Sequence, residues 1–296
     1  MWRSPVRVVS IRLAGEDLVV TLSNRSTIVA PRGGIIRISA MKVGFVGTGA
    51  ITEAMVTGML TGSPLASEVI ISPRNADVAA RLAEKFPAVR IAADNQAVVD
   101  ACEILFLAIR PQVAEDVVGG LSFPEGQVVV SVIAAVDRGT LTEWIGQNVR
   151  LTQAVPLPFV AQREGVTTIY PPDRDVASLF SSLGTAVECD TKEEYDLLAA
   201  ASAMMATYFG IMDRATGWLT DKGMPERTAR AYLAPLFASL SQTALKSSEI
   251  PFEEMSRKFA TKGGLNEQVL SDFDRNGGMT ALTAALDRVL IRITNG

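Results

Sequence analysis

The sequence predicts an α/β chain, a doubly wound parallel sheet over residues 41–190 followed by an all-helical domain over 191–296. Three observations carry that expectation. Short, continuously apolar runs alternate with amphipathic stretches from Met41 to Asp190, the pattern of a parallel sheet covered on both faces. The first run, Lys42-Val43-Gly44-Phe45-Val46, leads straight into Gly47-Thr48-Gly49-Ala50-Ile51, a tight glycine turn that opens a helix. Beyond Thr191 the strand signal stops and helical periodicity alone remains.

Residues 1–40 differ in character and read as an N-terminal extension of unknown role. They carry Arg3, Arg7, Arg12, Arg25, Arg32 and Arg37 against only Glu16 and Asp17, which is one mark of a transit segment. Yet 8–13 and 17–22 alternate like two short strands around Ala14-Gly15-Glu16, and no amphipathic helix is visible, so a dispensable extension from an upstream start is the other reading.

From Met41 the elements follow in order. Val43, Phe45 and Val46 make the first buried strand, and Ile51, Met55 and Met59 recur every fourth residue as the inner stripe of the first helix. Strands are expected at 69–71, 89–91, 104–109, 128–133 and 149–153, separated by helices at 76–86, 95–101, 114–119 and 138–145. Two more strands, 165–170 and 186–189, flank a helix at 173–183 and complete the sheet. Helices are then expected at 192–222, 225–247, 252–260, 265–276 and 279–293. The first of these carries Leu197, Leu198, Ala201, Met204, Met205, Tyr208, Phe209 and Met212, more apolar surface than one packed face needs. Such excess suggests a subunit interface, a buried central helix being the alternative.

Composition excludes several classes of function. The 296 residues contain no histidine, which removes histidine-ligated zinc, Ser-His-Asp and Cys-His hydrolysis, and dehydrogenation by a histidine base. A net charge of -4 and a pI near 5.1 argue against a nucleic-acid or acidic-membrane partner. Cys102 and Cys189 are far apart and lack metal-ligand spacing, so no metal site is expected and a reducing cytoplasm is the default. No uninterrupted apolar run reaches the roughly 20 residues of a membrane span.

The glycine turn points to a dinucleotide. Gly47 permits the sharp turn, Gly49 lets a pyrophosphate approach bare backbone, and the amides of Ala50 and Ile51 begin a helix whose dipole favours an anion. Thr52 stands where a third small residue would ease helix–sheet packing. With the alternating elements around it, this is a Rossmann-type arrangement. About 20 residues further on, NAD-binding chains place an acid for the ribose diol, whereas this chain has Ser72-Pro73-Arg74-Asn75. A hydroxyl, a guanidinium and an amide suit a 2′-phosphate, which favours NADP over NAD. Asn95 opens a helix as a possible cap or cofactor contact, and Ala108, Arg110, Pro111, Gln112 and Ala134 follow the fourth and fifth strands at the carboxyl edge, where parallel sheets hold ligands.

Residues 41–296 resemble the pyrroline-5-carboxylate reductases, which make proline by reducing a cyclic imine with NAD(P)H. The likeness lies in Phe45-Val46-Gly47-Thr48-Gly49 with Glu53-Ala54-Met55, in Phe106-Leu107-Ala108-Ile109-Arg110-Pro111-Gln112, in 131–135, and in Thr261 with Gly263-Gly264. It implies a Rossmann domain, a helical dimerisation domain, a homodimer or larger assembly, and an active site completed by helices of both subunits. It also implies that Lys262, Gly263, Gly264, Leu265 and Asn266 form the substrate loop. Gly263 and Gly264, entering a helix, offer amides to a carboxylate, though glycines there could simply separate two helices.

The chain departs from the family pattern at three places. Val155-Pro156-Leu157-Pro158-Phe159-Val160 stands for Met-Pro-Asn-Thr-Pro-Ala, Ser202-Ala203-Met204-Met205-Ala206-Thr207-Tyr208 for Ser-Gly-Ser-Gly-Pro-Ala-Tyr, and the loop lacks the family's paired threonines. Leu157, Phe159 and Leu265 suggest a more apolar pocket and a related imine, and no catalytic side chain is assigned. A protonated imine brings its own proton, so the reaction does not need histidine. A β-hydroxyacid dehydrogenase is a second reading, weakened by the absence of lysine between Tyr195 and Asp221. A non-catalytic NADPH-binding dimer is a third.

Overall fold

The computed structural model describes residues 8–14, 17–22, 27–31 and 41–294. The chain divides into two units, Met1–Lys192 and Glu193–Gly296. At the start, β1 (Val8–Ala14), β2 (Asp17–Leu22) and β3 (Thr27–Pro31) form an antiparallel three-stranded sheet of their own, with Leu13 opposite Leu18 and Val19 opposite Val29. Two of these strands were legible as alternation, the third was not, and the turn at Gly15 and Glu16 lies outside the described residues.

The main sheet of the first unit contains β4 (Lys42–Val46), β5 (Glu68–Ile71), β6 (Val89–Ile91), β7 (Ile104–Leu107) and β8 (Val128–Ser131). It ends in β9 (Arg150–Pro156), β10 (Gly165–Tyr170) and β11 (Gly184–Glu188), and its spatial order is β6-β5-β4-β7-β8-β9-β10-β11. The strands from β6 to β9 are parallel. The order reverses between β4 and β7, so their carboxyl ends flank the crevice where doubly wound sheets take ligands. The expectation of a parallel sheet throughout needs one correction: β10 runs antiparallel to β9, and β11 follows β10. Between β9 and β10 there is only a short 3-10 turn, Pro158–Gln162, whereas a parallel return needs a crossover of about a dozen residues or more.

Alternation along the strands divides the core in two. Phe45, Ile71, Phe106 and Val130 face one side, where α1 (Ala50–Leu60), α2 (Ala76–Lys85) and α6 (Arg174–Ser181) supply Met55, Met59, Leu82, Leu179 and Phe180. Val46, Ile70, Leu105, Leu107 and Val129 face the other, against α3 (Asn95–Ala101), α4 (Ala114–Gly119) and α5 (Arg138–Ile145). Phe45 stacks on Phe106 at 4.9 Å between ring centroids, and Phe106 meets Phe180 edge-on at 6.1 Å.

Aspartates begin three of these helices. Asp94 accepts from the Ala97 amide, Asp173 from Asp175 and Val176, and Asp137 from Gly139 at 2.7 Å and Thr140 at 3.1 Å. The Thr140 hydroxyl and backbone amide, then the Gly139 amide, hold the Asp137 carboxyl below its ordinary pKa despite some desolvation. A depressed folded pKa means that stability is present above the unfolded value and is lost as pH falls through the folded one. Asp137→Ala is therefore expected to cost about 1 kcal/mol at neutral pH. Chemical denaturation at stepped pH should show the difference shrinking as the wild-type carboxyl protonates.

The second unit is helical: α7 (Lys192–Ser202), α8 (Met204–Asp221), α9 (Glu226–Lys246), α10 (Phe252–Phe259), α11 (Leu265–Arg275) and α12 (Gly278–Thr294). The single helix expected over 192–222 is divided at Ala203. There the Ser202 hydroxyl donates to Ala199 O at 2.6 Å and the Ala203 amide to Ala200 O at 3.1 Å, tightening the last turn of α7. The stretch Lys192–Asp221 is long and apolar enough to cross a membrane by length and composition. Tyr208 of α8 meets Phe237 of α9 edge-on at 5.7 Å.

Candidate cofactor and substrate site

The turn after β4 is built so that only glycine fits its first position. Gly47 has φ +102°, and a Cβ there would overlap the carbonyl of Ala108, the residue that follows β7. The Ala108 amide donates to Val46 O at 2.8 Å, which brings the β7 segment tightly against the turn. At Gly49 the requirement differs: its backbone is extended, and an added Cβ would meet nothing within 4 Å. Gly49 caps α1 without a side-chain bond, and the first helical bond is Glu53 N–H to Gly49 O at 3.0 Å. The amides of Ala50, Ile51 and Thr52 thus lie ahead of the ladder, at the positive end of the helix dipole.

Thr52, the residue out of pattern, is fully buried, and its hydroxyl donates to Gly47 O at 2.7 Å. It closes the turn instead of merely crowding the sheet. Further along α1, a Cβ on Gly58 would overlap Val160 O, so the helix lies directly on the 3-10 turn after β9. Arg163 then donates from Nε to Gly58 O at 2.8 Å and from a terminal nitrogen to Ser63 O at 2.7 Å, a cation at the carboxyl end of α1. Gly58 and Arg163 anchor the cofactor helix without sequence motifs of their own.

Ser72 is placed differently from the expected phosphate contact. It is fully buried, its Oγ accepts the Gly47 amide at 3.0 Å, and its carbonyl accepts the Thr48 hydroxyl at 2.8 Å. Asn75, in the left-handed region at φ 69°, donates from Nδ2 to Thr48 O at 3.0 Å. The turn after β4 and the loop after β5 are therefore one hydrogen-bonded unit, with Ser72 and Asn75 as its internal ties. Arg74 stands on the outside of that unit, exposed and without an ion-pair partner among the described residues. Arg110, after β7, is likewise exposed and unpaired, while Pro111 begins the 3-10 turn Pro111–Val113 and Gln112 is exposed on it.

Asn95 is the first residue of α3, but Asp94 makes the cap. Ala134 is exposed after β8, and the following Ala135 has φ +55°. One further residue at this level was not anticipated. Gln153 on β9 lies opposite Ser131, is 3% exposed, donates to Val136 O at 2.8 Å, and keeps its Oε1 without a partner.

The residues expected to bind the substrate lie together in the second unit, between α10 and α11. Gly263 has φ +75°, Gly264 caps α11, Lys262 is exposed, and Leu265 is 81% exposed. The Asn266 amide is engaged, Nδ2 donating to Phe259 O at 3.1 Å. Leu157 and Phe159 belong to the first unit, whereas Leu265 belongs to the second.

A bare helix terminus behind a glycine-only turn, at the reversal of a doubly wound sheet, is the arrangement of a dinucleotide-binding protein. Residues 42–135 match the family described as NADP oxidoreductase coenzyme F420-dependent, and residues 193–295 match the family described as pyrroline-5-carboxylate reductase dimerisation. The chain thus carries a pyrroline-5-carboxylate reductase dimerisation domain, and over most of its length it is similar to the pyrroline-5-carboxylate reductases. A pyrroline-5-carboxylate reductase from Pseudomonas aeruginosa is 25% identical over 260 residues, covering 84% of this chain and 94% of the relative. The fold is shared with the 1-pyrroline-5-carboxylate reductase of Streptococcus pyogenes, with TM-score 0.76, 20% identity, and coverage of 87% of this chain and 100% of that one. It is also shared with the NADP-bound pyrroline carboxylate reductase of Plasmodium falciparum, with TM-score 0.75, 16% identity, and coverage of 86% and 97%.

Proposed function

We propose that this protein is a cytoplasmic, homodimeric reductase of a cyclic imine that uses NADPH, pyrroline-5-carboxylate being the substrate named for its relatives and a related ring the alternative. The observation that carries this reading is the turn Gly47–Ile51 tied to the loop Ser72–Asn75, with bare amides on its helix and an unpaired arginine outside. When bound, NADPH supplies a hydride. The backbone at Gly49, Ala50 and Ile51 would hold the pyrophosphate, and Arg74 the 2′-phosphate. Residues 41–190 serve as the cofactor domain and 191–296 as the dimerisation and substrate domain. Ala108, Arg110, Pro111, Gln112, Ala134 and Asn95 line the cofactor cleft, and the loop from Lys262 to Asn266 receives the substrate. No side chain need move a proton, because a cyclic imine of ordinary basicity enters protonated, its nitrogen already carrying the proton that the amine keeps.

The test is NADPH oxidation followed by absorbance, with pyrroline-5-carboxylate beside five- and six-membered cyclic imines with and without carboxylates. Turnover of at least one ring is expected, and silence on every ring by protein that binds NADPH would remove the enzymatic reading. A guanidinium on a phosphate makes charge-assisted hydrogen bonds, so Arg74→Ala should raise the NADPH dissociation constant about 10- to 100-fold. NADH binding should stay unchanged, because it has no 2′-phosphate. Equal weakening of both cofactors, measured by fluorescence titration, would show that Arg74 does not read that phosphate.

A further inference from the structure

The turn that follows β8 is held at both ends and strained in the middle. Ala134 and Ala135 are exposed at the carboxyl edge of the sheet, and Ala135, at φ +55°, holds a left-handed backbone that alanine keeps only when its surroundings impose it. Before it, the Val132 amide donates to Leu107 O at 3.0 Å and the Ile133 amide to Ser131 Oγ at 3.3 Å. After it, Gln153 Nε2 donates to Val136 O at 2.8 Å and Arg138 Nε to Leu151 O at 3.2 Å, so both bonds tie the turn to β9. Leu151 faces the α5 side of the sheet, and Gln153, two residues on, faces it too. Only 3% of Gln153 is exposed, yet its Oε1 has no partner. Stability alone does not account for a glutamine there, because a buried acceptor without a donor is unfavourable and an apolar side chain would avoid it.

We infer that Gln153 is a positioning residue for hydride transfer, fixing through Val136 O the Ala134–Ala135 turn on which the nicotinamide ring of the cofactor rests. The inference rests on the imine-reductase reading and adds a residue to it. A dinucleotide lies across the crevice where the strand order reverses. With the pyrophosphate at Gly47–Ile51 and the 2′-phosphate at Arg74 after β5, the other half of the cofactor extends over the carboxyl ends of β7 and β8, where this turn stands. Without the bond to Val136 O, Ala135 relaxes toward negative φ and the surface beneath the ring shifts. Hydride transfer is sensitive to a displacement of about an ångström.

The test uses the full-length chain and Gln153→Leu, which removes one hydrogen bond and one orphaned acceptor together, so the thermal midpoint is expected to stay within about 4 °C of wild type. On the ring that the wild type reduces best, kcat should fall about 10- to 100-fold. NADPH should bind about three- to tenfold more weakly, whereas adenosine 2′,5′-bisphosphate, which has the adenine and the 2′-phosphate but no nicotinamide, should bind as in wild type. Ala135→Gly added to Gln153→Leu should restore part of the lost kcat, since glycine takes the left-handed turn without strain. A glutamine that served the fold alone would show no such rescue. Gln153→Met, with the same expectations, replaces the leucine form if melting shows that form unfolded, and unfolding of both would overturn the inference. Wild-type kcat in Gln153→Leu, equal weakening of NADPH and the bisphosphate, or no rescue by glycine would also overturn it while leaving imine reduction standing. Silence of the wild type on every ring with NADPH bound would instead remove the parent reading, and the inference with it.

Discussion

Gly47→Ala is expected to yield a protein that is markedly less stable and does not bind NADPH. Two costs act together. At φ +102° an L-residue is strained, and the new methyl group would occupy the space of the Ala108 carbonyl, part of a main chain that the Ala108 amide ties to Val46 O. Relief requires parting β4 from β7 at the switch point or breaking the Gly47–Ser72 bond, which leaves Ser72 buried without that partner. The sum is about 3 kcal/mol or more, seen as a lower denaturant midpoint.

The matching control is Gly49→Ala. Its methyl group would meet nothing within 4 Å, so stability should change by no more than about 0.5 kcal/mol. NADPH affinity should nevertheless fall roughly 10- to 100-fold, because the methyl stands where the pyrophosphate must approach. Isothermal titration with each variant separates the two roles. Wild-type affinity in Gly49→Ala would show that the pyrophosphate lies elsewhere.

What the sequence revealed and what it hid follow from the range of the interactions concerned. The bounds of α3 and α5 were legible because capping aspartates and apolar periodicity are local signals. The reversal at β10 was harder to see, since strand composition does not state direction; only the eight residues between Pro156 and Gly165, too few for a crossover, do so. Gly47 and Gly49 were found by spacing, but their different physical requirements depend on Ala108, far away in sequence. Ser72 reads as a ligand contact because its partner, the Gly47 amide, also lies on a different element, 25 positions away. Glu267, whose carboxylate accepts the Gly263 amide, was read only as part of a helix, although a carboxylate three residues after a helix-capping glycine is a recognisable pattern. Arg163 had no local signal, for it acts on carbonyls of α1 roughly one hundred residues earlier, a pairing no windowed reading reaches.

The other large effect expected is on assembly. Within α8 no residue is buried, although Phe209 is 59% exposed and Trp218 61%. On α9, Tyr232, Leu236 and Leu240 recur every fourth residue and are all exposed, a continuous apolar stripe along one face. A stripe of this kind on a chain matching a dimerisation family is proposed to meet its own copy, for an apolar face that large is costly in water. Leu240→Asp should then convert dimer to monomer. Burial of a leucine contributes about 1.5–3 kcal/mol, a two-fold axis counts it twice, and the dissociation constant should rise roughly 100- to 10,000-fold. Light scattering at micromolar protein reads the mass directly, and NADPH turnover should fall with the dimer fraction, since the proposed active site draws on both subunits. Leu233→Asp, at a position only 8% exposed, provides the contrast: it should lower thermal stability of the chain itself before any change in assembly can be measured. A Leu240→Asp protein of unchanged mass would mean that the stripe is covered by something other than a second copy.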